Sequence, residues 1–143
     1  PGHSEDALFV TAPDGAIEQI LDNLIRNALN AFARPGFRSE GEAVITVTCR
    51  RVPAGRTDDT GAIIAMTVAD SGPGMTDQQL ERCFDRFWRA PDAIPGGSGL
   101  GLAIVGSLAR ACEGTAAAAR SELGGCAMTI EFKESADQAA LPN

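Results

Sequence analysis

Three asparagines in one helical segment are the residues whose spacing most clearly points to chemistry. Asn23, Asn27 and Asn30 lie in a stretch whose apolar residues recur with the helical period, from Ile17 to Phe32. At about 100° of rotation per residue, they fall within a sector of roughly 60° beside the apolar stripe. Their amides are therefore predicted to emerge at the rim of the core. Single asparagines occupy helix surfaces by chance, but three on one flank favour binding, since asparagine is a poor helix former.

A carboxylate and two glycines follow an apolar strand-like segment further along the chain. Asp70 ends that segment, and Gly72 and Gly74 come directly after it. A carboxylate there can accept a hydrogen bond from an exocyclic amine, and the glycines let the backbone pass close to a flat base. Taken alone, the run is equally typical of a strand-to-turn transition in any protein.

A second group of glycines, Gly97, Gly99 and Gly101, precedes an apolar helical segment. The unpaired N–H groups and the dipole of a helix start favour phosphate binding. A dinucleotide-binding fingerprint would need a strand immediately upstream, and residues 90–95 do not have that character. A P-loop would need a Gly-Lys-Ser/Thr run, which the chain lacks.

These runs, with FDRFWR at 84–89 between the last two, resemble the N, G1, F and G2 boxes of the sensor histidine kinase catalytic domain. The resemblance covers roughly residues 13–132 and implies an ATP site on the Bergerat fold of the gyrase, chaperone, kinase and mismatch-repair superfamily. The residues that it implies in ATP binding are Asn23, Asn27, Asn30, Asp70, Gly72, Gly74, Met75, Arg86, Arg89, Gly97, Ser98, Gly99, Leu100, Gly101 and Leu102.

The resemblance also implies individual roles. It places Asn27 on the Mg²⁺ that bridges the phosphates, which suits a side-chain carbonyl, and Asn23 near the γ-phosphate. Asp70 would select adenine through its amino group, with Met75 lining the base pocket. The F box would anchor a hinged lid at about residues 90–96, and one of its two arginines would reach the phosphates or the phosphoacceptor side.

One position separates two chemistries within that superfamily, and others depart from the kinase pattern. In the ATPase branches, the residue at the position of Asn23 is a glutamate that acts as general base on water. An amide cannot take that proton, so Asn23 favours a phosphoryl donor over a hydrolase. Asn30 stands where many kinases carry Lys or Arg, and Ala31 where they often carry an aromatic residue. Gly125-Cys126 stands where Gly-Thr is usual, so Cys126 is expected to be a small, unreactive neighbour of the adenine pocket.

The order of helical and strand-like segments that would position these residues predicts an α+β fold. We expect a two-layer α/β sandwich with a mixed sheet and helices on one face. After a strand-like start at 7–11, the predicted helices cover about 15–35, 77–84 and 100–112, the first capped by Asp14 and the second by a Thr76–Gln79 capping box. The predicted strands cover 43–51, 62–69, 115–120 and 127–132, the first two forming a hairpin. We expect a single domain, 1–143, with its core at about 7–133 and a disordered tail at 134–143.

The composition of the chain limits the classes of partner that it can bind. The 143 residues carry a formal net charge of −7, which argues against nucleic acid or an anionic membrane as a main partner. The sequence has neither a signal-peptide pattern nor an apolar run long enough to span a bilayer. Its four cysteines, widely spaced, are interpreted as small buried hydrophobes in a reducing compartment. His3, the only histidine, is poorly placed for catalysis or for zinc.

We interpret the chain as the ATP-binding catalytic domain of a two-component sensor histidine kinase. It would donate the γ-phosphoryl of Mg-ATP to a histidine on a separate dimerising helical hairpin, for relay to a response regulator. We expect the domain to be cytoplasmic, to be monomeric by itself and to make no direct membrane contact. We also expect it to belong to a longer parent protein that can be anchored in a membrane. Two alternatives stay open: a serine kinase of the anti-sigma-factor type, and a non-catalytic nucleotide-binding module of the same fold.

Overall fold

The computed structural model describes residues 7–38, 41–52, 62–85 and 101–135, and these ranges contain three helices and four strands. In chain order the elements are α1 (Ala16–Phe32), β1 (Ile45–Val52), β2 (Ile63–Asp70), α2 (Asp77–Arg82), α3 (Gly101–Ala111), β3 (Thr115–Arg120) and β4 (Cys126–Lys133). The predicted order of helix, hairpin, two helices and hairpin is confirmed.

The first helix, α1, buries residues of the apolar stripe that the helical period of its sequence predicts. Its buried residues are Ala16, Ile20, Leu24 and Ala28. The prediction that Asp14 caps this helix was wrong. Gly15 occupies the N-cap position in a left-handed conformation, with φ at 77° and no side-chain hydrogen bond. The Ala16 N–H instead donates to the Pro13 carbonyl at 3.1 Å, so a backbone turn supplies the acceptor.

The second helix, α2, begins with the predicted capping box. The Gln79 N–H donates to the Thr76 hydroxyl at 3.2 Å, and the Thr76 N–H donates to Gln79 Oε1 at 2.9 Å. These two bonds satisfy donors that a six-residue helix would otherwise leave open.

The described strands form one antiparallel sheet in the order β1-β2-β4-β3. The α+β class is confirmed, but the prediction of a mixed sheet was wrong. Strand β4 lies between β2 and β3 and pairs antiparallel with both, so β2 and β3 run in the same direction without pairing with each other. The register pairs Ala69 with Ala127 and Arg120 with Cys126. The end of β2 therefore lies beside the start of β4.

The core lies between the helices and one face of the sheet, as the two-layer prediction required. Its most deeply buried members include Ile20 and Leu24 of α1, Val105 of α3, and Met128 and Ile130 of β4, each at most 1% exposed. Burial of this apolar surface fixes α1 and α3 above the sheet. That placement positions the asparagine-bearing flank of α1 and the start of α3.

Residues near the two ends of the described chain join the sheet. Val10 forms a single antiparallel bridge with Glu134, where the sequence predicted a short strand at 7–11. The Ser135 N–H donates to the Phe9 carbonyl at 2.8 Å, and Glu134 forms an ion pair with Arg51 at 2.6 Å. Glu134 and Ser135, the first two residues of the tail that the sequence predicted to be disordered, therefore bond to the folded chain. Residues 136–143 lie outside the described part of the chain.

The edge strand β1 corrects one prediction about the cysteines. Cys83, Cys112 and Cys126 are buried as expected, whereas Cys49 is exposed. Val47 on the same strand is 45% exposed, because β1 lies at the margin of the sheet. In the ranges with described positions, no helix combines the length and apolarity that crossing a membrane requires.

Candidate nucleotide site

Asp70 is the buried carboxylate on which the candidate site is built. It is the last residue of β2 and is 3% exposed. Its Oδ1 accepts hydrogen bonds from the Gly72 N–H at 2.9 Å and from the Cys126 N–H at 3.2 Å. Two backbone donors from different segments thus compensate the desolvation of the carboxylate. Both bonds use Oδ1, so an amine of a ligand can donate to the other carboxylate oxygen.

The glycines after Asp70 allow two close approaches. The Cβ position of Gly72 lies only 3.3 Å from the Ala31 Cβ on α1, so this loop packs directly against the helix. Gly74 has a φ of 76°, a conformation that side chains disfavour. Arg34 Nη1 donates to the Gly74 carbonyl at 3.2 Å and ties the region after α1 to the same loop.

Ser71, between the acid and the first glycine, fixes the loop to the neighbouring strand. Its hydroxyl accepts a hydrogen bond from the Val44 N–H at 2.9 Å, and its own N–H donates to the Val44 carbonyl at 3.0 Å. The loop that carries Asp70 is therefore held by β1, α1 and β4 together.

The start of β4 contacts the same oxygen of the Asp70 carboxylate as the Gly72 N–H. Burial and the nearby Asp70 charge raise the pKa of the Cys126 thiol to about 11. The thiol is therefore neutral at physiological pH, in keeping with the absence of reactivity that the sequence predicted. Cys126 also lies beside Asp70, the residue to which the resemblance gives adenine selection.

The three asparagines of α1 do not share one environment. Asn23 and Asn27 are half-buried, whereas Asn30 is exposed, so the predicted rim position holds for the first two. Among the described residues, Asn23 Nδ2 is buried without a hydrogen-bond partner. Its Oδ1 lies 3.8 Å from the Cβ position of Gly101, the first residue of α3. An unsatisfied buried amide nitrogen is costly, and the oxygen of the same amide lies near the start of a helix.

The remaining residues of the predicted set either pack in the core or lie outside the described residues, and the first phenylalanine of the F box packs in the fold as well. Met75 is half-buried and packs against the core, and Leu102 is 8% exposed within it, so the Leu102 side chain faces the core. Phe84 packs against α3, with its Cβ 3.5 Å from the Cβ position of Gly106. The predicted lid at 90–96 and the binding residues Arg86, Arg89, Gly97, Ser98, Gly99 and Leu100 lie outside the described residues.

Sequence reasoning missed the contact of Arg34 with the glycine loop, which joins residues 40 positions apart and has no local signal. It placed Gly125-Cys126 near the pocket by resemblance but did not include Gly125 among the binding residues, and it missed the close approach of Gly125 to Asp70. A groove of about 720 Å³ adjoins the loop and is lined partly by Arg34, Gly74 and Gly125. Asn23 and Asp70 do not line it, so we do not identify the groove with the predicted nucleotide site.

Comparison with known proteins agrees with this arrangement. Residues 13–136 match the family model described as histidine kinase-, DNA gyrase B- and HSP90-like ATPase. The chain is 33% identical over 130 residues to the signal transduction histidine-protein kinase BaeS of Escherichia coli K12, an alignment that covers 89% of this chain. The chain spans only 25% of the length of BaeS.

Solved structures support the fold. The mycobacterial sensor histidine kinase MprB superposes with a TM-score of 0.69 at 23% identity, covering 87% of this chain and 76% of that one. Full-length ShkA, solved in complex with AMPPNP, superposes with a TM-score of 0.59 at 29% identity, covering 90% of this chain and 24% of that one. With the match over residues 13–136, these findings confirm the resemblance seen in the sequence, and the chain belongs to the family of histidine kinase-, DNA gyrase B- and HSP90-like ATPases.

Proposed function

We propose that this domain binds ATP with Mg²⁺ and donates the γ-phosphoryl group to a histidine on a separate dimerising helical hairpin of its parent protein. The phosphoryl group would then pass to an aspartate of a response regulator. The observation that carries the proposal is the buried Asp70 carboxylate, held through one oxygen at the end of β2.

Adenine selection follows from the chemistry of that carboxylate. Its Oδ1 is occupied by two backbone N–H groups, and the second oxygen offers an acceptor to the exocyclic amine of adenine. Guanine carries a carbonyl oxygen at the same position, so two acceptors would meet in a buried place. The cost of such a mismatch is about 1–3 kcal/mol. Gly72 lets the loop backbone pass close to Asp70 Oδ1 and to Ala31, because it carries no side chain.

Phosphate binding is supported by the surroundings of Asn23. Its buried Nδ2 has no partner among the described residues, and its Oδ1 lies 3.8 Å from the Cβ position of Gly101, which begins the 11-residue helix α3. The amide donor and the N–H groups in the first turn of α3 offer a set of donors to an anionic ligand. A phosphate oxygen would satisfy the amide that the protein itself leaves unpaired.

Metal binding is assigned to Asn27, one helical turn beyond Asn23. It is half-buried, so its carbonyl oxygen can reach both a ligand and solvent. Side-chain carbonyl oxygen is a ligand that Mg²⁺ accepts alongside phosphate oxygens and water. When bound, the ion would neutralise charge on the phosphates.

The reaction type rests on what Asn23 cannot do. An amide cannot accept the proton of an attacking water, so the residue near the γ-phosphate favours transfer to another acceptor over hydrolysis. Asn23 instead would orient the phosphate by hydrogen bonding, and the acceptor imidazole would come from another domain. The ShkA complex with an ATP analogue supports nucleotide binding at this fold. ATP as donor and four free thiols support a cytoplasmic location.

A phosphotransfer assay with γ-labelled Mg-ATP tests the proposal. We expect the 143-residue chain by itself to show neither stable self-phosphorylation nor more than trace hydrolysis. Adding the histidine-bearing hairpin of the parent protein should produce acid-labile label on the hairpin. A hairpin with glutamine in place of that histidine is the matched control.

Other results of this assay would indicate a different function. Acid-stable label on a protein serine would establish a serine kinase, and rapid phosphate release from the chain would establish an ATPase. Label on the isolated chain would contradict the histidine-kinase proposal. Nucleotide binding without transfer to the hairpin would establish a non-catalytic binding module.

A further inference from the structure

The turn between β3 and β4, residues 121–125, touches Asp70 through backbone atoms alone. The Gly125 N–H donates to the Asp70 carbonyl at 3.1 Å, and the next N–H, of Cys126, donates to Asp70 Oδ1 at 3.2 Å. The turn is closed by its own bonds, with the Ser121 N–H donating to the Gly125 carbonyl at 2.8 Å. Asp70 is thus held by the turn through its main-chain carbonyl and by the first residue of β4 through its carboxylate, some 55 residues away in sequence.

Gly125 leaves no space for a side chain. A Cβ atom at this position would lie 2.0 Å from Asp70 Oδ1, 2.6 Å from the Gly72 nitrogen and 2.7 Å from the Asp70 carbonyl oxygen. All three distances are far below van der Waals contact. The requirement for glycine is one of space, because Gly125 is not among the residues of positive φ. By contrast, the neighbouring Gly124 has a φ of 107° and nothing within 4 Å of its Cβ position.

We infer that Gly125 is a positioning residue for base selection, acting through Asp70, and that the 121–125 turn sets the orientation of the base-binding carboxylate. The inference rests on the proposed adenine role of Asp70. Without a side chain at Gly125, the turn backbone approaches closely enough for the adjoining Cys126 N–H to occupy Oδ1, and the second oxygen keeps its direction toward the base. A methyl group there must displace the carboxylate, the Gly72 N–H or the turn.

The test compares two alanine substitutions that introduce similar clashes. Gly125→Ala should raise the Kd for ATP at least tenfold and reduce the preference for ATP over GTP. Gly114→Ala is the matched control, because its Cβ would lie 2.0 Å from the Glu131 carbonyl oxygen at the other end of β3. That variant should lower the thermal midpoint and leave the ATP to GTP affinity ratio unchanged. Gly41→Ala, with open space around it, should change neither quantity.

A measurement on the unmodified chain covers the case in which Gly125→Ala does not fold. Binding at Asp70 and order in the turn are linked, and the linkage is reciprocal. ATP should therefore slow hydrogen exchange of the Gly125 and Cys126 amides, and GTP should slow it less. Unchanged exchange of both amides with ATP bound would overturn the inference.

The outcomes separate the inference from the proposed function. If the unmodified chain binds ATP and GTP equally, the adenine role of Asp70 fails and the inference fails with it. If the chain prefers ATP, Asp70→Asn abolishes the preference and folded Gly125→Ala retains it, only the positioning role of Gly125 is refuted.

Discussion

The substitution Asp70→Asn separates the two tasks of this carboxylate, which are holding the loop and accepting from the base. Asparagine keeps an oxygen that can accept from the Gly72 and Cys126 N–H groups, which lie 2.9 and 3.2 Å from Asp70 Oδ1. The second carboxylate oxygen becomes an NH₂ donor, which would face the adenine amine. The fold should therefore persist while the acceptor for the base is lost.

The magnitude follows from burial. Asp70 is 3% exposed, so water cannot replace the missing acceptor. Leaving a buried polar group unpaired costs about 1–3 kcal/mol, which raises the Kd for ATP by about 5- to 150-fold. The same exchange places a donor opposite the guanine carbonyl, so the affinity ratio should move toward GTP. Asp70→Ala, by contrast, leaves two backbone donors without their acceptor and should cost about 1–3 kcal/mol of unfolding free energy for each.

Isothermal titration calorimetry with ATP and GTP measures both Kd values, and urea denaturation measures the free energy of unfolding. Glu81→Gln, which removes one negative charge from an exposed side chain of α2, is the charge control and should leave both nucleotides unaffected. Equal affinities of the unmodified chain for ATP and GTP would refute the reasoning. An Asp70→Asn variant that binds ATP within twofold of the unmodified chain would refute it as well.

Three further outcomes are expected. Asn27→Ala should remove most of the Mg²⁺ dependence of ATP binding while the circular dichroism spectrum stays unchanged; calorimetry with and without Mg²⁺ checks this, and a retained metal effect would assign the ion to another residue. Thr76→Ala should cost about 1 kcal/mol of unfolding free energy through loss of the capping box, and Thr76→Ser should restore it in urea denaturation. Alkaline pH should destabilise the fold, because burial raises the pKa of Cys83 to about 12 and that of Cys126 to about 11, above the ordinary value of 9.0. The unfolded chain loses these protons first, so stability is full below pH 9 and falls by up to about 1.4 kcal/mol per pH unit for each thiol between pH 9 and 11. The chain has no tyrosine and one lysine, so Cys83→Ala should visibly flatten this decline.

Local features of the fold were accessible from the sequence, because each depends on residues within a few positions of one another. The helical period of α1 placed its apolar stripe, and the Thr76–Gln79 box placed the start of α2. The position of Asp70 at the end of an apolar strand, followed by glycines, was read from one short run. In each case the signal lies within one short segment of the sequence, where residue propensity and periodicity describe it.

Tertiary structure decided the features that depend on which segments meet. The sheet is antiparallel because β4 inserts between β2 and β3, and no local pattern encodes that neighbour. The exposure of Cys49 follows from the edge position of β1, although its sequence resembles a half-buried strand. Asp14 had the chemistry of a cap, yet Gly15 took the position through a backbone turn.

The candidate site divides in the same way. The sequence alone identified the residue types, namely amides on a helix flank and a carboxylate followed by glycines, because the residues of each pattern are close together in the sequence. Only the folded chain brought Cys126 and Gly125 against Asp70, and Asn23 against the start of α3. Those contacts are fixed by burial of the shared core and by pairing of β2 with β4, which join residues up to 78 positions apart. Sequence patterns determine which groups can bind a nucleotide, and long-range packing determines the direction in which each group points.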